Sequence, residues 1–105
     1  MAFNFITLVE GVEMPSTSAP CYTASNQTNI TYALVSSSSK VPVNFSIGID
    51  VNGQVTPIIP TRQVPAGGTD LCNELKGLIL ENDAKIVISA TQNGLYFRAN
   101  GFSLS

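Results

Sequence analysis

The sequence predicts an all-β protein: a single antiparallel β-sandwich of about seven to eight strands, Ig-like or jelly-roll-like, with an extended N-terminal arm. Three observations support this. Apolar residues recur at every second position, turn signals follow roughly every 8–15 residues, and no segment has the period of a helix longer than about two turns. A length of 105 residues fits one domain.

The N-terminal part of the chain differs in kind from the rest. Glu13 to Pro20 is a Pro/Ser/Thr-rich stretch with the composition of a linker. We therefore divide the chain into an N-terminal arm and linker, residues 1–20, and a β-sandwich domain, residues 21–105.

The arm carries apolar residues on both of its faces. Phe3 and Phe5 are two residues apart, and Ile6 and Leu8 occupy the opposite face. One interpretation is an assembly arm that adds a strand to a neighbouring subunit, with these four residues as anchors. It predicts that a chain without residues 2–14 folds but no longer assembles. The other interpretation is a first strand of the domain's own sheet, followed by a crossover.

The next strand is predicted from Thr28 to Val35. Ile30, Tyr32 and Leu34 alternate with smaller or more polar residues, so we expect these three side chains on one face.

The clearest alternation lies between Val43 and Val51, where every odd position is apolar. Asn52-Gly53 follows and predicts a tight hairpin, because a type I′ turn needs positive φ at both positions. The partner begins near residue 54. Pro57 and Pro60 cannot donate to a central ladder, so this segment is expected to be an edge strand or a loop.

The following segment is dense in turn residues. Pro65 to Thr69 reads as a tight turn. Asp70 to Leu75 fits either a strand or one turn of helix, and both remain open. Glu81-Asn82-Asp83 then turns the chain into the strand that starts at Lys85.

Two further Asn-Gly pairs occur near the C-terminal end. Asn93-Gly94 predicts a second hairpin, which joins residues 85–90 to residues 95–99. Asn100-Gly101 interrupts the last strand and predicts a bulge or kink.

The composition argues against catalysis and against binding of nucleic acid. The chain has five Lys+Arg, seven Asp+Glu and no His, so the commonest general base and metal ligand is missing. Five scattered basic residues and a net charge of −2 are unsuited to a phosphate backbone. We expect no enzyme activity, catalytic residue, cofactor, metal or nucleic-acid partner.

The chain ends and the cysteines bear on location. The first residues lack a signal-peptide pattern, and no apolar run is long enough to cross a bilayer, so we expect synthesis in a cytoplasm and no membrane partner. Cys21 and Cys72 are then expected to stay reduced. A disulfide remains open, because sheet topology can bring distant residues together.

Aromatic residues and sparse charge suggest how the surface is used. The Phe residues suit a core, whereas Tyr96 and Phe97 must face opposite sides of a strand. Tyr32 and Tyr96 are candidate surface-binding aromatics. Lys and Glu are depleted from buried interfaces, so a surface with only 11% charged residues fits a subunit of an assembly, such as a homo-oligomer.

Six parts of the chain follow one another in a characteristic order. They are Thr31 to Leu34, Val43 to Val51, Val64 to Thr69, Leu71 to Leu80, Glu81 to Asp83 and Ile86 to Phe97. In this order they resemble the parts of small β-sandwich virion proteins of tailed bacteriophages, such as capsid decoration (cement) proteins and accessory tail proteins. The acidic turn departs from the usual Gly-Asp, since Asn82-Asp83 stands there.

The resemblance implies a non-enzymatic structural protein of a tailed phage, located in the virion after synthesis in the host cytoplasm. As a decoration protein it would bind neighbouring capsid subunits, often as a trimer. The alternatives are a tail, neck or baseplate accessory protein, or a carbohydrate- or receptor-binding module of a tail fibre.

Overall fold

The structure is a computed structural model that describes residues 3–104, with side chains described for residues 6–103. This part of the chain forms nine β-strands and a single 3-10 turn, and it contains no helix long and apolar enough to cross a membrane. The strands are β1 (Phe3–Glu13), β2 (Ala19–Thr23), β3 (Thr28–Ser37), β4 (Val43–Val51), β5 (Gln54–Val64), β6 (Thr69–Asp70), β7 (Ile79–Leu80), β8 (Lys85–Ala90) and β9 (Leu95–Leu104), and the 3-10 turn is Asn73–Leu75.

The strands form two antiparallel sheets packed face to face, which confirms the predicted β-sandwich. Sheet A has the order β1-β9-β3-β6, and β7 also pairs with β3. Sheet B has the order β2-β8-β4-β5.

The pairings describe a jelly roll. β6 and β7 both pair with β3 and together take the place of one broken strand. The chain then folds back on itself as one long hairpin, in which β4 pairs with β5, β3 with β6 and β7, β2 with β8, and β1 with β9. Rolling this hairpin into two layers gives the strand order of a jelly roll. Of the two sandwich types predicted, the jelly-roll-like type is therefore the one observed.

The N-terminal segment belongs to the sandwich. β1 pairs with β9 from Phe3 to Glu13, and Leu8, Val9 and Met14 are buried in the core. Residues 3–13 are therefore a strand of the domain's own sheet, the second of the two interpretations, and not a free arm. The predicted linker also contains the start of β2, which tolerates Pro20 because β2 is an edge strand.

The core lies between the sheets and is built by the predicted alternation. In β4, Val43, Phe45, Ile47 and Ile49 are all buried, and they meet the inward side chains of sheet A. Phe97 of β9 is also fully buried. The partly exposed positions between the buried residues of β4 are polar, so the outer face of this strand suits contact with solvent.

The hairpin between β4 and β5 is confirmed. Asn52 has φ 54° and Gly53 has φ 86°, as a type I′ turn requires. The Gly53 N–H donates to Asp50 Oδ1 over 2.8 Å. This turn is the tip of the rolled hairpin, and β5 with its prolines is an edge strand, as predicted.

The second predicted hairpin is wrong. β8 lies in sheet B and β9 in sheet A, so Asn93-Gly94 is part of a crossover between the layers. Only Gly94 of this pair has positive φ, at 106°, whereas a type I′ turn needs it at both positions. The Ser38 N–H donates to Gly94 O over 2.8 Å, which fastens the crossover to the end of β3.

The expected common face of β3 is also wrong. Ile30 is buried, but Tyr32 is exposed and Ala33 and Val35 are buried instead. The register between β3 and β9 shifts between Ile30 and Tyr32, so Thr31 is an extra residue. A bulge moves every later side chain to the opposite face.

The bulge or kink predicted at Asn100-Gly101 does not interrupt the last strand, since β9 runs unbroken from Leu95 to Leu104; the bulge lies opposite this pair, in strand β3. Gly101 faces it at close range: a Cβ at this position would clash with the backbone oxygen of Asn29. The glycine therefore serves close approach of two backbones, the role that glycine often has inside a strand.

The segment after β5 combines both predicted alternatives. The Gly68 N–H donates to Pro65 O over 2.9 Å, which confirms the tight turn. The chain then forms the two-residue β6 and, after Cys72 at φ 46°, the 3-10 turn.

Candidate functional site

The candidate site is the outer face of sheet A, where strands β3 and β9 lie side by side. Because the Thr31 bulge sets the phase, Tyr32 and Leu34 point away from the core. Their register partners are Asn100 and Arg98, while Tyr96 is opposite Ser36. These side chains form one surface, which we call the tyrosine face.

Tyr32 and Tyr96 are both well exposed, at 44% and 37% of their accessible surface. They lie on neighbouring strands, four register positions apart, which corresponds to about 13 Å along the sheet. The structure therefore places the two predicted surface aromatics on the same face, at opposite ends of one patch.

Arg98 lies between the two tyrosines. It is exposed, it is opposite Leu34, and it makes no ion pair within residues 3–104. The acidic groups nearest in register belong to β1: Glu13 is opposite Tyr96, and its carboxylate accepts the Gly94 N–H over 3.1 Å. The patch therefore has a cationic centre and an acidic rim.

Asn100 adds a polar group at the Tyr32 end of the patch. Its side-chain Oδ1 is buried and has no hydrogen-bond partner among the described residues. Its backbone oxygen accepts the Thr31 hydroxyl over 3.2 Å. A buried acceptor without a donor is uncommon in proteins, and here it lies beside an exposed aromatic ring.

The outer face of sheet B is different. Where β4 and β8 meet, it carries small side chains, and Ser46 and Ser89 form a hydrogen bond of 2.7 Å with one another. Gly48 has no side chain and lies close to Val55 and Val87. Large exposed aromatic surface is therefore a property of sheet A.

The four predicted assembly anchors do not form one cluster. Leu8 is buried in the core, while Ile6 is 37% exposed at the edge of sheet A. The side chains of Phe3 and Phe5 lie outside the described residues.

A cluster that the sequence reasoning missed lies at the end of β5. Arg62 donates from Nε to Asp70 Oδ2 over 2.7 Å, from Nη2 to Asp70 Oδ1 over 2.8 Å, and from Nη2 to Glu74 Oε1 over 2.9 Å. Its Nη1 contacts Glu74 Oε2, and its guanidinium lies 5.9 Å from the centre of the Phe45 ring. Asp70 and Glu74 are 8 and 12 positions from Arg62, so no short-range motif in the sequence indicates the cluster.

The electrostatics of this Arg62 cluster are those of a structural clamp. The hydrogen bond from Arg62 holds the pKa of Glu74 below its ordinary value, and the same bond raises the pKa of Arg62. The Cys72 N–H also donates to Asp70 Oδ1 over 2.8 Å. The single Arg62 guanidinium bridges both carboxylates, so the cluster fastens the segment from β6 to the 3-10 turn onto β5.

Both cysteines are free thiols, so the disulfide that the sequence left open is not formed. Burial raises the pKa of each thiol to about 12. Both side chains are therefore protonated near neutral pH, and a protonated thiol is a poor nucleophile. Residues 3–104 contain no group of three or more His, Cys, Asp or Glu placed to hold a metal ion.

Comparison with known proteins gives no relative: no protein-family model, curated protein or solved structure matches the chain. The likeness to virion proteins of tailed phages stays a prediction from the sequence.

Proposed function

We propose that the protein is a non-enzymatic structural virion protein of a tailed phage, which binds neighbouring capsid subunits as a decoration or cement protein through its tyrosine face. The observation that carries this proposal is the pair of exposed tyrosines, Tyr32 and Tyr96, on either side of Arg98.

The chemistry of this surface suits a protein partner. Tyr and Arg are enriched among the residues that contribute most to protein interfaces, whereas Lys and Glu are depleted from interface cores. The patch follows this distribution, because it contains two tyrosines with an arginine between them, while Glu13 stands at the rim.

Two further features support the virion role. The first is the resemblance of the sequence to small virion proteins, together with its low charge. The second is the jelly-roll order, which viral capsid domains, lectins and cupins share. A shared fold alone does not specify a function, so the test has to address the surface.

The test compares incorporation of variants into purified phage particles. Replacing Tyr32 and Tyr96 by Ser removes two exposed rings, so we expect a folded protein whose copy number per particle falls at least about tenfold, as for two interface residues of more than about 0.7 kcal/mol each. Val55→Ser on β5 is the control, because Val55 is even more exposed than the tyrosines but lies on sheet B.

Quantitative mass spectrometry of gradient-purified particles gives the copy number. Particles without the wild-type protein would overturn the virion role, and undiminished incorporation of the double variant would overturn the role of the tyrosine face. Separate capsid and tail fractions from the same particles distinguish a decoration protein from a tail, neck or baseplate accessory protein.

A second candidate is a carbohydrate-binding module of a tail fibre. The observation that favours it is the neighbourhood of Tyr32 and the unpartnered Asn100 Oδ1. An aromatic ring stacks on a sugar, and if the Asn100 side chain turns outward, a sugar hydroxyl can donate to its unpartnered oxygen. Binding on a glycan array that is lost in Tyr32→Ser supports this candidate, and silence of the folded wild-type protein contradicts it.

A further inference from the structure

Strand β1 leaves one edge of sheet A open. β9 is its only partner strand within residues 3–104, so the backbone groups on its other side have no strand to pair with. Such an edge is a template for pairing with another chain.

The first part of this edge is regular enough to accept a strand. The register with β9 is continuous from Phe3 to Thr7, and the shifts begin only after Thr7. Residues 3–9 contain neither a charged residue nor Pro, and both features would protect an edge. Ile6 lies within this stretch and is substantially exposed.

The other edges of the sandwich are protected. β5 contains Pro57 and Pro60, and β2 is five residues long and contains Pro20. The opposite edge of sheet A consists of two-residue strands, β6 and β7. Within residues 3–104, β1 is therefore the one long edge without such protection. A second copy that binds by adding a strand would use this same edge, its own β1.

We propose that β1 pairs antiparallel with β1 of a second copy, across a two-fold axis within residues 3–7. The two copies of sheet A then become one continuous sheet. This pairing uses the open edge of each copy, so the assembly closes at a dimer. The inference goes beyond the virion role, since it concerns the isolated protein.

The charges allow this arrangement. An axis at residue 5 pairs Phe3 with Thr7 and leaves Glu10 and Glu13 outside the paired stretch. Like charges opposite one another would weaken an antiparallel pair, and here none meet. The net charge of only −2 also keeps the repulsion between two copies small.

The interface is small. A paired stretch of five to seven residues is about 20 Å long, and such a contact falls below the roughly 1,200 Å² of a standard interface. We therefore expect a reversible dimer whose dissociation constant is roughly micromolar or higher.

The first test is sedimentation of the full chain from about 1 µM to about 1 mM, in a range that brackets this affinity. Ile6→Lys places a charge on the proposed interface, and Val55→Lys places one on an exposed β-branched residue of the protected edge β5. We expect the wild-type protein and Val55→Lys to dimerise alike, and Ile6→Lys to dimerise at least about tenfold more weakly.

A monomer at every concentration, a trimer, or equal dimerisation of both variants would overturn the inference. None of these outcomes touches the virion proposal, which is tested in particles. A trimer would in fact agree with the oligomer that the sequence resemblance implies.

The second test needs no substitution. Backbone amide exchange of the wild-type protein is followed residue by residue at low and high concentration. We expect those amides of residues 4–7 that point away from β9 to exchange more slowly at high concentration, while those of β5 keep their rate. Unchanged exchange in β1 under conditions where the protein is dimeric would place the interface elsewhere and overturn the inference.

Discussion

Gly101 allows strands β3 and β9 to approach closely, because it has no side chain. β3 bulges at Thr31, and this brings the backbone of Asn29 against Gly101 of β9. No side chain fits at this approach, and the contact is with backbone, which cannot rotate away. The bulge in turn decides which residues of β3 reach the core.

Gly101→Ala is expected to destabilise the fold strongly. The added Cβ meets Asn29 O and forces β3 away from β9, so the free energy of unfolding should fall by about 2–4 kcal/mol, the size typical of backbone strain and overpacking. Urea unfolding followed by circular dichroism measures this.

Gly67→Ala is the matched control for Gly101→Ala. Gly67 has φ 66° in an exposed turn, and a Cβ there meets no atom within 4 Å, so only the conformational cost of about 1 kcal/mol applies. Equal losses in the two variants would show that the clash with Asn29 does not matter.

The bulge also marks a limit of prediction from sequence at this scale. The expectation of one face for Ile30, Tyr32 and Leu34 assumed an unbroken period of two. The phase changes at Thr31, whose own chemistry is unremarkable for a strand. The cause lies in the partner strand, where Asn100-Gly101 did signal an irregularity.

At the scale of elements, two Asn-Gly pairs predict hairpins, but only the first of them forms one, for a physical reason. Asn52-Gly53 joins strands of one sheet, and Asn93-Gly94 joins strands of two sheets. In both cases the inward residues of the flanking strands, such as Phe45 and Phe97, point into the same core. The alternation of apolar residues is therefore the same for a hairpin and for a crossover, and it cannot distinguish them.

The Arg62 cluster makes a prediction about pH. The pKa of Glu74 is lowered in the folded protein, so its contribution to stability is complete above the ordinary pKa of Glu, about 4.3. The contribution is lost as the pH falls through the lowered value. Because Glu74 is partly exposed, Glu74→Gln should reduce the free energy of unfolding at pH 7 by only about 0.2–1 kcal/mol.

The measurement is urea unfolding of both proteins from pH 7 into the acid range, where the two curves should converge. Glu81→Gln is the control, because Glu81 is exposed and has no ion pair in the described part of the chain. A difference that stays constant with pH would show that Glu74 acts through packing and not through its charge.

At the scale of the whole molecule, the sequence predicted two layers and not the path of the chain. The strand starts near residues 28, 43, 54 and 95 agree with the structure because they depend on local alternation and turns. The rolled hairpin depends on pairings such as β1 with β9, between residues almost a full chain apart. Local pattern carries no information on such pairings.

The candidate site shows the same division. The exposure of Tyr96 followed from its alternation with buried Phe97, and this was predicted. That Tyr32 lies on the same face follows from the pairing of β3 with β9 and from the bulge. No sequence motif marks Arg98, because its register partner Leu34 and the second tyrosine, Tyr32, come from another strand.

The strand β1 leads to the last prediction, the result of deleting residues 2–14. Leu8, Val9 and Met14 are buried, and losing three such side chains removes roughly 5–8 kcal/mol. That is comparable to the whole stability of a domain of this size, about 5–15 kcal/mol. The deletion also exposes β9, which carries Phe97 and Ala99 into the core. We therefore expect the shortened chain not to fold cooperatively, where an assembly arm would have left a folded monomer.

Dispersion of amide proton signals and the cooperativity of thermal unfolding decide between these outcomes. Ile6→Ser is the control within the same strand, because Ile6 is exposed at the edge and its loss leaves the three buried residues in place. This variant should unfold cooperatively, near the wild-type temperature. A shortened chain with a native-like spectrum would mean that sheet A is complete without β1, and that the edge strand is free to pair with a neighbouring subunit instead.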